Sequence, residues 1–344
     1  MTGMRMPAET DRHERTLMAW PTAKRTEFWD GHVPEARRAW ADVARAIAAH
    51  EPVTMVADVG EGDTAVALLG DVPGVEVIEL PIDDSWIRDS GPIVVNDPAA
   101  PGRRRAIQFG FNAWGELVAP WDADARVATA LGPRLGLDVV TAPFVLEGGS
   151  IAVDGAGLLV TTERCLLNPN RGPLGDGAPR SRVALDELLA DWLGATTVVW
   201  LSDGLTDDTD TDGHVDNVVA LPRPGVALLQ GCDDPNDPDA DTAAESRRRL
   251  IDAGLEVVEL PVLPRAEFGG REVEVPYLNL YAGNGFVVVP VTGHPFDDEA
   301  LQVIGAQYPG REIVPVEGTV IAFGGGGPHC ITQQIPAAPG GDER

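Results

Sequence analysis

The stretch Gly254-Leu255-Glu256-Val257-Val258-Glu259-Leu260-Pro261 joins a glycine to a short run of β-branched and apolar residues. Glycine suits the left-handed conformation that ends many helices, and apolar runs of this length favour buried strands. The pattern occurs five times, and successive strands start 56 to 62 residues apart. The predicted strands occupy residues 77–81, 139–143, 198–201, 257–261 and 313–316, preceded by Gly74, Gly136, Gly194, Gly254 and Gly310.

A helical pattern leads into each strand, and pairs of β-rich segments separate one unit from the next. The clearest pair, residues 150–153 and 158–162, flanks the turn Asp154-Gly155-Ala156-Gly157. Each unit therefore reads strand, strand, helix, strand, which predicts an α/β protein. Five such ββαβ units favour a closed, propeller-like ring over five unrelated steps in an ordinary α/β domain. The predicted helices occupy residues 62–69, 122–135, 181–193, 242–253 and 297–308, with an additional helix at 34–50.

The composition predicts a folded, strongly acidic protein. Apolar residues make up 44% of the 344 residues and charged residues 23%, which is an ordinary globular balance. We expect a single domain over residues 1–344, with a frayed tail after about residue 337, because no linker interrupts the chain. The net charge of −28 would repel nucleic-acid phosphates and anionic lipids. It would suit a cationic substrate, although solubility alone also explains it.

Cysteine content and hydropathy indicate the compartment. Cys165, Cys232 and Cys330 cannot all pair with one another, so we expect reduced thiols. No basic segment followed by an apolar run begins the chain, and no apolar stretch reaches the roughly 18 residues of a membrane span. These features predict a cytoplasmic protein without membrane or nucleic-acid partners. They leave the oligomeric state open, a homo-oligomer included.

Polar residues follow the predicted strands, at the place where the units of a ring would converge. Carboxylates such as Asp89 and Asp216 could bind the nitrogens of a guanidinium group through charge-assisted hydrogen bonds. The thiolate of Cys330 could then attack the guanidinium carbon. His214 would protonate the departing ammonia and later activate water, while Glu147 would orient His214 and favour its protonated form. These five residues are the candidate catalytic set.

A second group of residues could contact the remainder of a substrate. They are Glu9, Asp84, Trp86, Trp114, Asn279 and Gly326. Glu9 and Asp84 offer carboxylates to a distal cation, although a surface position or a turn would also account for them. The two tryptophans could stack on an alkyl chain or belong to the core. Asn279 could instead serve its strand and turn, and the glycine run containing Gly326 would let the backbone approach the substrate.

We expect the other cysteines and His329 to have structural roles, and we expect no metal site. We expect Cys165 and Cys232 to be structural, because both adjoin apolar β segments. His329 is also expected to be structural, since neighbours on a strand point to opposite faces and Cys330 takes the functional one. His214, Asp216 and Cys330 could ligate a metal, but no CxxC, HExxH or His-x-Glu spacing accompanies them. No metal or organic cofactor is therefore expected.

Motifs spread over nearly the whole chain, in the same order, resemble those of agmatine deiminases. They include Met6-Pro7-Ala8-Glu9, Asp84-Ser85-Trp86-Ile87-Arg88-Asp89-Ser90-Gly91-Pro92, Leu146-Glu147-Gly148-Gly149-Ser150, Cys165-Leu166-Leu167-Asn168-Pro169-Asn170-Arg171, Thr211-Asp212-Gly213-His214-Val215-Asp216 and His329-Cys330-Ile331-Thr332-Gln333-Gln334-Ile335-Pro336. The resemblance implies the five-bladed α/β propeller of the guanidino-modifying, or pentein, superfamily. It also implies a cofactor-free hydrolysis of agmatine to N-carbamoylputrescine and ammonia, a step of putrescine biosynthesis.

The resemblance assigns the same roles to the candidate residues. It implies Cys330 as nucleophile and His214 as general acid and base. Asp89 and Asp216 would bind the guanidinium, and Glu147 is the acid of a Glu-Gly-Gly motif.

The motif around the nucleophile departs from the family pattern. The family usually has Gly-Gly-Asn-Ile-His-Cys, whereas this chain has Gly327 and Pro328 in place of the asparagine and isoleucine. Thr10 also stands where tryptophan is common. These changes leave the reacting groups intact but bear on the substrate. Alternatives are therefore a deiminase or amidinotransferase for arginine, peptidyl-arginine or a specialised guanidine, or a non-catalytic cation-binding propeller.

Overall fold

The computed structural model describes residues 3–175, 177–232 and 234–340. Within these ranges the strands are β1 (His13–Ala19), β2 (Val53–Ala57), β3 (Val75–Glu79), β4 (Ile93–Asn96), β5 (Arg104–Gly110), β6 (Val139–Val145), β7 (Ile151–Val153), β8 (Leu158–Thr162), β9 (Thr197–Leu201), β10 (Val219–Arg223), β11 (Val226–Gln230), β12 (Glu256–Leu260), β13 (Arg265–Phe268), β14 (Arg271–Glu274), β15 (Tyr281–Gly283), β16 (Phe286–Val291), β17 (Glu312–Glu317) and β18 (Thr332–Pro336). Of the predicted frayed tail, residues 341–344 lie outside the described residues.

Helices alternate with these strands. They are α1 (Val33–Ala48), α2 (Gly62–Leu69), α3 (Ile87–Ser90), α4 (Ala113–Glu116), α5 (Val127–Leu135), α6 (Glu163–Leu166), α7 (Arg182–Leu193), α8 (Ala240–Asp252), α9 (Asp297–Gln307) and α10 (Thr319–Phe323). Short 3-10 turns occupy Ala23–Arg25, Pro101–Arg103, Asp124–Arg126, Gly148–Ser150, Pro169–Arg171 and Val215–Asn217. Among the described residues, none of the helices has both the length and the apolar character needed to span a membrane.

The strands predicted from the glycine pattern are present as β3, β6, β9, β12 and β17, with ends that differ by at most two residues. The glycine ahead of each has φ between 65° and 88°, the left-handed region that favours glycine. The predicted helix at 122–135 starts late, at Val127, because residues 124–126 form a 3-10 turn instead. Local sequence signals therefore locate these elements well.

Four three-stranded sheets share one connectivity. Their strand orders are β4-β5-β6, β7-β8-β9, β10-β11-β12 and β15-β16-β17. In each, the first two strands are antiparallel and the last two are parallel. A parallel pair needs a crossover, which α5, α7, α8 and α9 provide between the second and third strands. The arrangement is therefore ββαβ in every one of these sheets.

Another sheet joins the two ends of the described chain. Strand β1 pairs antiparallel with β18, with Leu17 opposite Gln333, and parallel with β2, which pairs in turn with β3. The remaining strands, β13 and β14, form a separate hairpin. Because β18 directly follows Cys330 in sequence, this pairing brings the N-terminal segment close to the predicted nucleophile.

A tryptophan cluster forms the core beneath the candidate site. Trp29 stacks on Trp86 with ring centroids 6.3 Å apart, and Trp40 packs edge-on against Trp86 at 5.5 Å. All three side chains are buried. Burying an aromatic ring of this size contributes roughly 2–3 kcal/mol, so the cluster fixes Trp86 firmly.

Glu51 links β1 to the turn between β15 and β16 in the interior. Its carboxylate accepts hydrogen bonds from Thr16 Oγ1 at 2.5 Å and from the Asn284 backbone N–H at 2.8 Å, and it lies 3.0 Å from His13 Nδ1. Burial opposes ionisation, but His13 and these donors together lower the pKa of Glu51. The carboxylate therefore joins two sheets at neutral pH.

We expect Glu51→Gln to lower the free energy of unfolding by about 2 kcal/mol, because buried donors lose their acceptor. The folded-state pKa is depressed, so the contribution is present at neutral pH and shrinks below 4.5, the ordinary value for glutamate. Urea unfolding measures it, with Glu312→Gln on an exposed strand end as control. Equal losses for the two variants, or a difference independent of pH, would contradict this account.

Candidate active site

Cys330 lies in the wall of a cavity with about 330 Å³ of free space. The turn that carries it, residues 328–331, connects α10 to β18. The expectation that Cys330 and His329 lie on a strand is therefore wrong. Pro328 and the glycines before it interrupt β structure, so the two adjacent side chains are not forced onto opposite faces.

The thiol of Cys330 is buried beside two carboxylates and one amide. Asn279 Nδ2 donates a hydrogen bond to Sγ at 3.0 Å, and Asp216 Oδ2 lies 3.5 Å from the same atom. Burial, together with the charges of Asp216 and Asp89, raises the pKa of the Cys330 thiol well above its ordinary value. The thiol is therefore neutral at physiological pH until a positive charge arrives.

Asp89 and Asp216 are oriented by different donors. Asp89 also lines the cavity; its Oδ1 accepts from the Gly149 N–H at 2.8 Å and its Oδ2 from Trp114 Nε1 at 2.9 Å. Asp216 is buried directly behind the thiol, where its Oδ2 lies 2.8 Å from His329 Nδ1. Its Oδ1 has no hydrogen-bond partner among the described residues. The described lining of the Cys330 cavity does not include Asp216.

His214 completes this arrangement as a candidate acid. Its Nδ1 lies 3.9 Å from Asp89 Oδ2, and within the described part of the chain neither ring nitrogen has a hydrogen-bond partner. Burial disfavours the charged ring, but Asp89, Cys165 and Asp216 raise the pKa of His214 well above its usual value. His214 is therefore protonated at rest, as the donor of a proton to a leaving amine must be.

Glu147 makes no hydrogen bond to His214 among the described residues, and its predicted role of orienting the imidazole stays a prediction. It is fully buried, and its Oε1 accepts a hydrogen bond from Arg171 Nε at 2.7 Å rather than bonding to the imidazole. Arg171 Nη2 in turn donates to the Thr211 carbonyl at 2.7 Å. The pair thus anchors the loop that leads into His214. The Glu147 carboxylate also lies within 4.8 Å of a ring nitrogen of His214, so both Glu147 and Asp89 are close to the imidazole.

Two residues without a predicted functional role also belong to this neighbourhood. Arg171 closes the Cys165–Arg171 motif, which was the signal that could have identified it. Cys165, expected to be structural, lies with His214 and Glu147 in a group whose polar atoms are all within 4.8 Å of one another. Its backbone N–H donates a hydrogen bond to Thr162 Oγ1, the side chain that caps α6. Sequence spacing alone does not indicate that Arg171 pairs with Glu147 or that Cys165 lies beside His214.

Trp86, Trp114 and Gly326, three of the residues predicted to contact substrate, lie around the thiol. Trp86 and Trp114 both line the cavity, and Trp114 also donates to Asp89. A Cβ at Gly326 would lie 2.8 Å from the Trp86 ring and 3.0 Å from Cys330 Sγ. A glycine is thus required between ring and thiol. The backbone at Gly326 therefore comes close to the thiol, and its approach to a substrate stays a prediction.

Three other predicted contacts lie elsewhere. Asp84 does not line this cavity; its Oδ2 accepts from Arg25 Nε at 2.7 Å, and the pair is buried. Glu9 is neither at the surface nor in the cavity, because it binds His329 and Arg88 behind the nucleophile. Asn279 also lies behind Cys330. Asp84 and Glu9 lie outside the cavity because basic side chains hold them elsewhere. These basic partners come from distant segments of the chain, and sequence alone does not reveal such pairings.

The position of Asn279 explains why a glycine fits at position 327. Its Oδ1 accepts from the backbone N–H groups of His329 and Cys330 at 3.1 and 3.2 Å. A Cβ at Gly327 would lie 2.7 Å from that oxygen. A side chain at this position would therefore displace the amide that holds the nucleophile.

Asp210 is an additional wall residue that the sequence analysis missed. It is exposed and lines the cavity together with Trp86 and Cys330. No lysine or arginine is among the described residues that line this cavity. The run of acids from Asp207 to Asp212 was the available signal. The cavity is therefore acidic at more than one point.

Gly149 allows the catalytic side chains to converge. A Cβ there would lie 2.6 Å from His214 Nδ1, 2.9 Å from Asp216 Oδ2 and 3.0 Å from Asp89 Oδ1. Real Cβ atoms do not approach other atoms so closely, so at least one of these groups would have to move. This explains the second glycine of the Glu-Gly-Gly motif.

We expect Gly149→Ala to lower kcat by about 100-fold, because displacements near 1 Å at a reacting centre have effects of that size. Steady-state kinetics and thermal unfolding should be measured together. Gly305→Ala, a helical glycine facing only Ile313, is the matched control and should keep full activity. Full activity in Gly149→Ala would show that the three groups do not need their observed spacing.

Comparison with known proteins agrees with this geometry. The chain is 39% identical to the agmatine deiminase of Pseudomonas aeruginosa, covering 97% of this chain and 96% of that protein. It is 39% identical to a putative agmatine deiminase of Streptomyces avermitilis, covering 97% of each. The solved agmatine deiminase of Enterococcus faecalis superimposes with a TM-score of 0.87 at 32% identity, over 98% of this chain and 96% of that one. Residues 5–336 match the sequence profile of the Porphyromonas-type peptidyl-arginine deiminases, and the chain belongs to that family.

Proposed function

We propose that this protein hydrolyses agmatine to N-carbamoylputrescine and ammonia through a covalent thiouronium intermediate on Cys330. The observation that carries the proposal is a buried thiol placed beside Asp216 and Asp89, with a protonated His214 next to them. This combination fits a cationic carbon electrophile. Relatives named agmatine deiminase, similar over nearly their whole length, support the choice of guanidine.

The resting thiol requires its substrate before it becomes a nucleophile. A guanidinium held by Asp89 and Asp216 brings a positive charge beside Sγ, which offsets the two carboxylates and lowers the pKa of Cys330. The thiol releases its proton to solvent, and the thiolate attacks the guanidinium carbon. Binding and activation are thereby coupled, which limits reaction of the thiol with other electrophiles.

His214 serves both halves of the reaction. As imidazolium it donates a proton to the departing nitrogen, which leaves as ammonia, and the carbon remains bonded to sulfur. The now neutral imidazole removes a proton from water, and the hydroxide attacks the thiouronium carbon. Collapse of that adduct breaks the C–S bond and forms the ureido carbonyl, while the hydroxyl proton passes to the departing sulfur and returns Cys330 to its resting thiol.

Asp210 would recognise the amine end of agmatine. The guanidinium occupies the end of the cavity with Asp89 and Cys330, and the alkyl chain passes between Trp86 and Trp114. The ammonium then reaches Asp210. Arginine would add a carboxylate, for which the described lining of the cavity offers no basic partner. These walls favour agmatine over free arginine.

We also infer that the sheets form a five-bladed propeller, built as one domain over residues 1–344. The shared ββαβ connectivity of four sheets supports this arrangement, as does the pairing of β1 with β18. In such a ring, the segments after the parallel strands converge on one axis. Asp89, Glu147 and His214 follow the parallel strands β3, β6 and β9.

Release of ammonia from agmatine, arginine and 1-guanidinobutane by the purified protein tests this proposal, with Cys330→Ala as blank. We expect turnover of agmatine and at least about 100-fold lower kcat/KM for arginine. No ammonia from agmatine with folded protein would overturn the assignment.

The amine contact has its own test. Asp210→Asn should raise KM for agmatine about tenfold or more, because a charge-assisted contact is lost, and should not change KM for 1-guanidinobutane. Asp207→Asn, in the same loop but outside this cavity, is the control. Equal effects of Asp210→Asn on the two substrates would show that Asp210 does not bind the amine.

A further inference from the structure

Behind the nucleophile, the ring of His329 lies between two carboxylates. Its Nδ1 is 2.8 Å from Asp216 Oδ2, and its Nε2 is 2.8 Å from Glu9 Oε2. Glu9 is held from the other side by the Ala282 N–H at 2.8 Å and by Arg88 Nη2 at 3.2 Å. Segments distant in sequence therefore meet in one chain of charges next to Cys330.

This geometry determines the protonation of His329. A neutral imidazole has one donor nitrogen and one acceptor nitrogen, and an acceptor cannot bond to a carboxylate. Both ring nitrogens face carboxyl oxygens at hydrogen-bond distance, and the pKa of each carboxyl is lowered, so both partners are carboxylates and the ring carries two protons and a positive charge. The other charged group against it is Arg88, whose Nε donates to the His329 carbonyl at 3.1 Å. Arg88 opposes this charge, and the carboxylates outweigh it.

We propose that His329 is a positioning residue, an imidazolium held by Glu9 that keeps Asp216 ionised and directs its free oxygen toward the substrate guanidinium. The inference rests on the proposed function only in taking Asp216 as a guanidinium ligand. His329 engages Oδ2 of Asp216, which leaves the buried Oδ1 without a partner among the described residues. Glu9 acts through His329 and does not touch the substrate.

Electrostatics agrees with this assignment. Burial alone would protonate Asp216 and Glu9, but His329 lowers the pKa of both, that of Glu9 to about 2. The same contacts raise the pKa of His329 despite its burial. Without the imidazolium, only the more weakly acting charges of His214 and Arg88 would oppose the effect of burial on Asp216, and its pKa would rise.

A second cavity adjoins the charged residues Glu9, His329 and Asp216. It is lined by Glu9, Arg88, Asp216, His329 and Gln334, together with apolar side chains, and its described lining does not include Cys330. Glu9 faces this second cavity. Glu9 makes its contact with Asp216 through the His329 ring, which lies between the two carboxylates.

The decisive experiment is a histidine NMR titration of the whole protein, using ring-labelled histidine, with His329→Gln to assign the His329 signal among the six histidines. We expect His329 to stay protonated well above 6.5, the ordinary value, and its pKa to fall in Glu9→Gln by about one unit or more. A ring that titrates near 6.5 in both proteins would overturn the inference. This readout is independent of turnover, so it separates failure of the inference from failure of the proposed function.

Kinetics then shows whether the charge acts on Asp216. In His329→Gln the pKa of Asp216 rises, so the acid limb of kcat/KM should move to higher pH by about one unit, with KM more affected than kcat. Glu9→Gln should shift it in the same direction and by less. In the double variant the shift should equal that of His329→Gln alone, because Glu9 acts through the ring. A decrease in kcat/KM that is the same at every pH would indicate a packing defect only and would contradict the inference.

Discussion

The site depends on confining a thiol, two carboxylates and an imidazolium together where water is excluded. Cys330, Asp89, Asp216 and His214 are all buried, and their charges determine one another's protonation. In water such groups would interact weakly, whereas in this interior burial and the neighbouring charges shift the pKa of each group. The negative charge that keeps the thiol protonated is also the charge that attracts a guanidinium. The same arrangement therefore keeps the thiol unreactive at rest and binds the guanidinium.

Backbone geometry makes this confinement sterically possible. Gly149 leaves room for the two carboxylates and the imidazole to approach one another, and Gly326 leaves room between Trp86 and the thiol. Asn279 then fixes the nucleophile turn through its amide. The glycine at 327 fits this packing, since a side chain there would displace Asn279. Gly327 and Pro328, the two departures from the family motif next to the nucleophile, are not among the described residues that line the Cys330 cavity.

Much of the fold could be predicted from local patterns, because glycine ends helices and valine-rich runs form strands wherever they occur. The identities of Cys330, His214, Asp89 and Asp216 followed from their chemistry and motifs. Pairings between distant segments could not be predicted. Asp84 looked available until Arg25 proved to neutralise it, and Glu9 looked like a substrate contact until His329 and Arg88 enclosed it. His329 was misjudged because a strand was assumed where Pro328 begins a turn.

Alkylation of Cys330 tests most directly whether substrate charge activates a resting neutral thiol. Iodoacetamide is uncharged and 2-chloroacetamidine is cationic; their rates should be normalised to a free thiol, with Cys330→Ala giving the background from Cys165 and Cys232. The account predicts that iodoacetamide alkylates Cys330 slowly at pH 7 and that this rate continues to rise with pH until above pH 9. The normalised rate with 2-chloroacetamidine should exceed that with iodoacetamide by about tenfold or more, which corresponds to lowering the pKa of the thiol by about one unit. A rate with iodoacetamide that is already maximal at pH 7 would contradict it, because Cys330 would then be a thiolate before any cation bound.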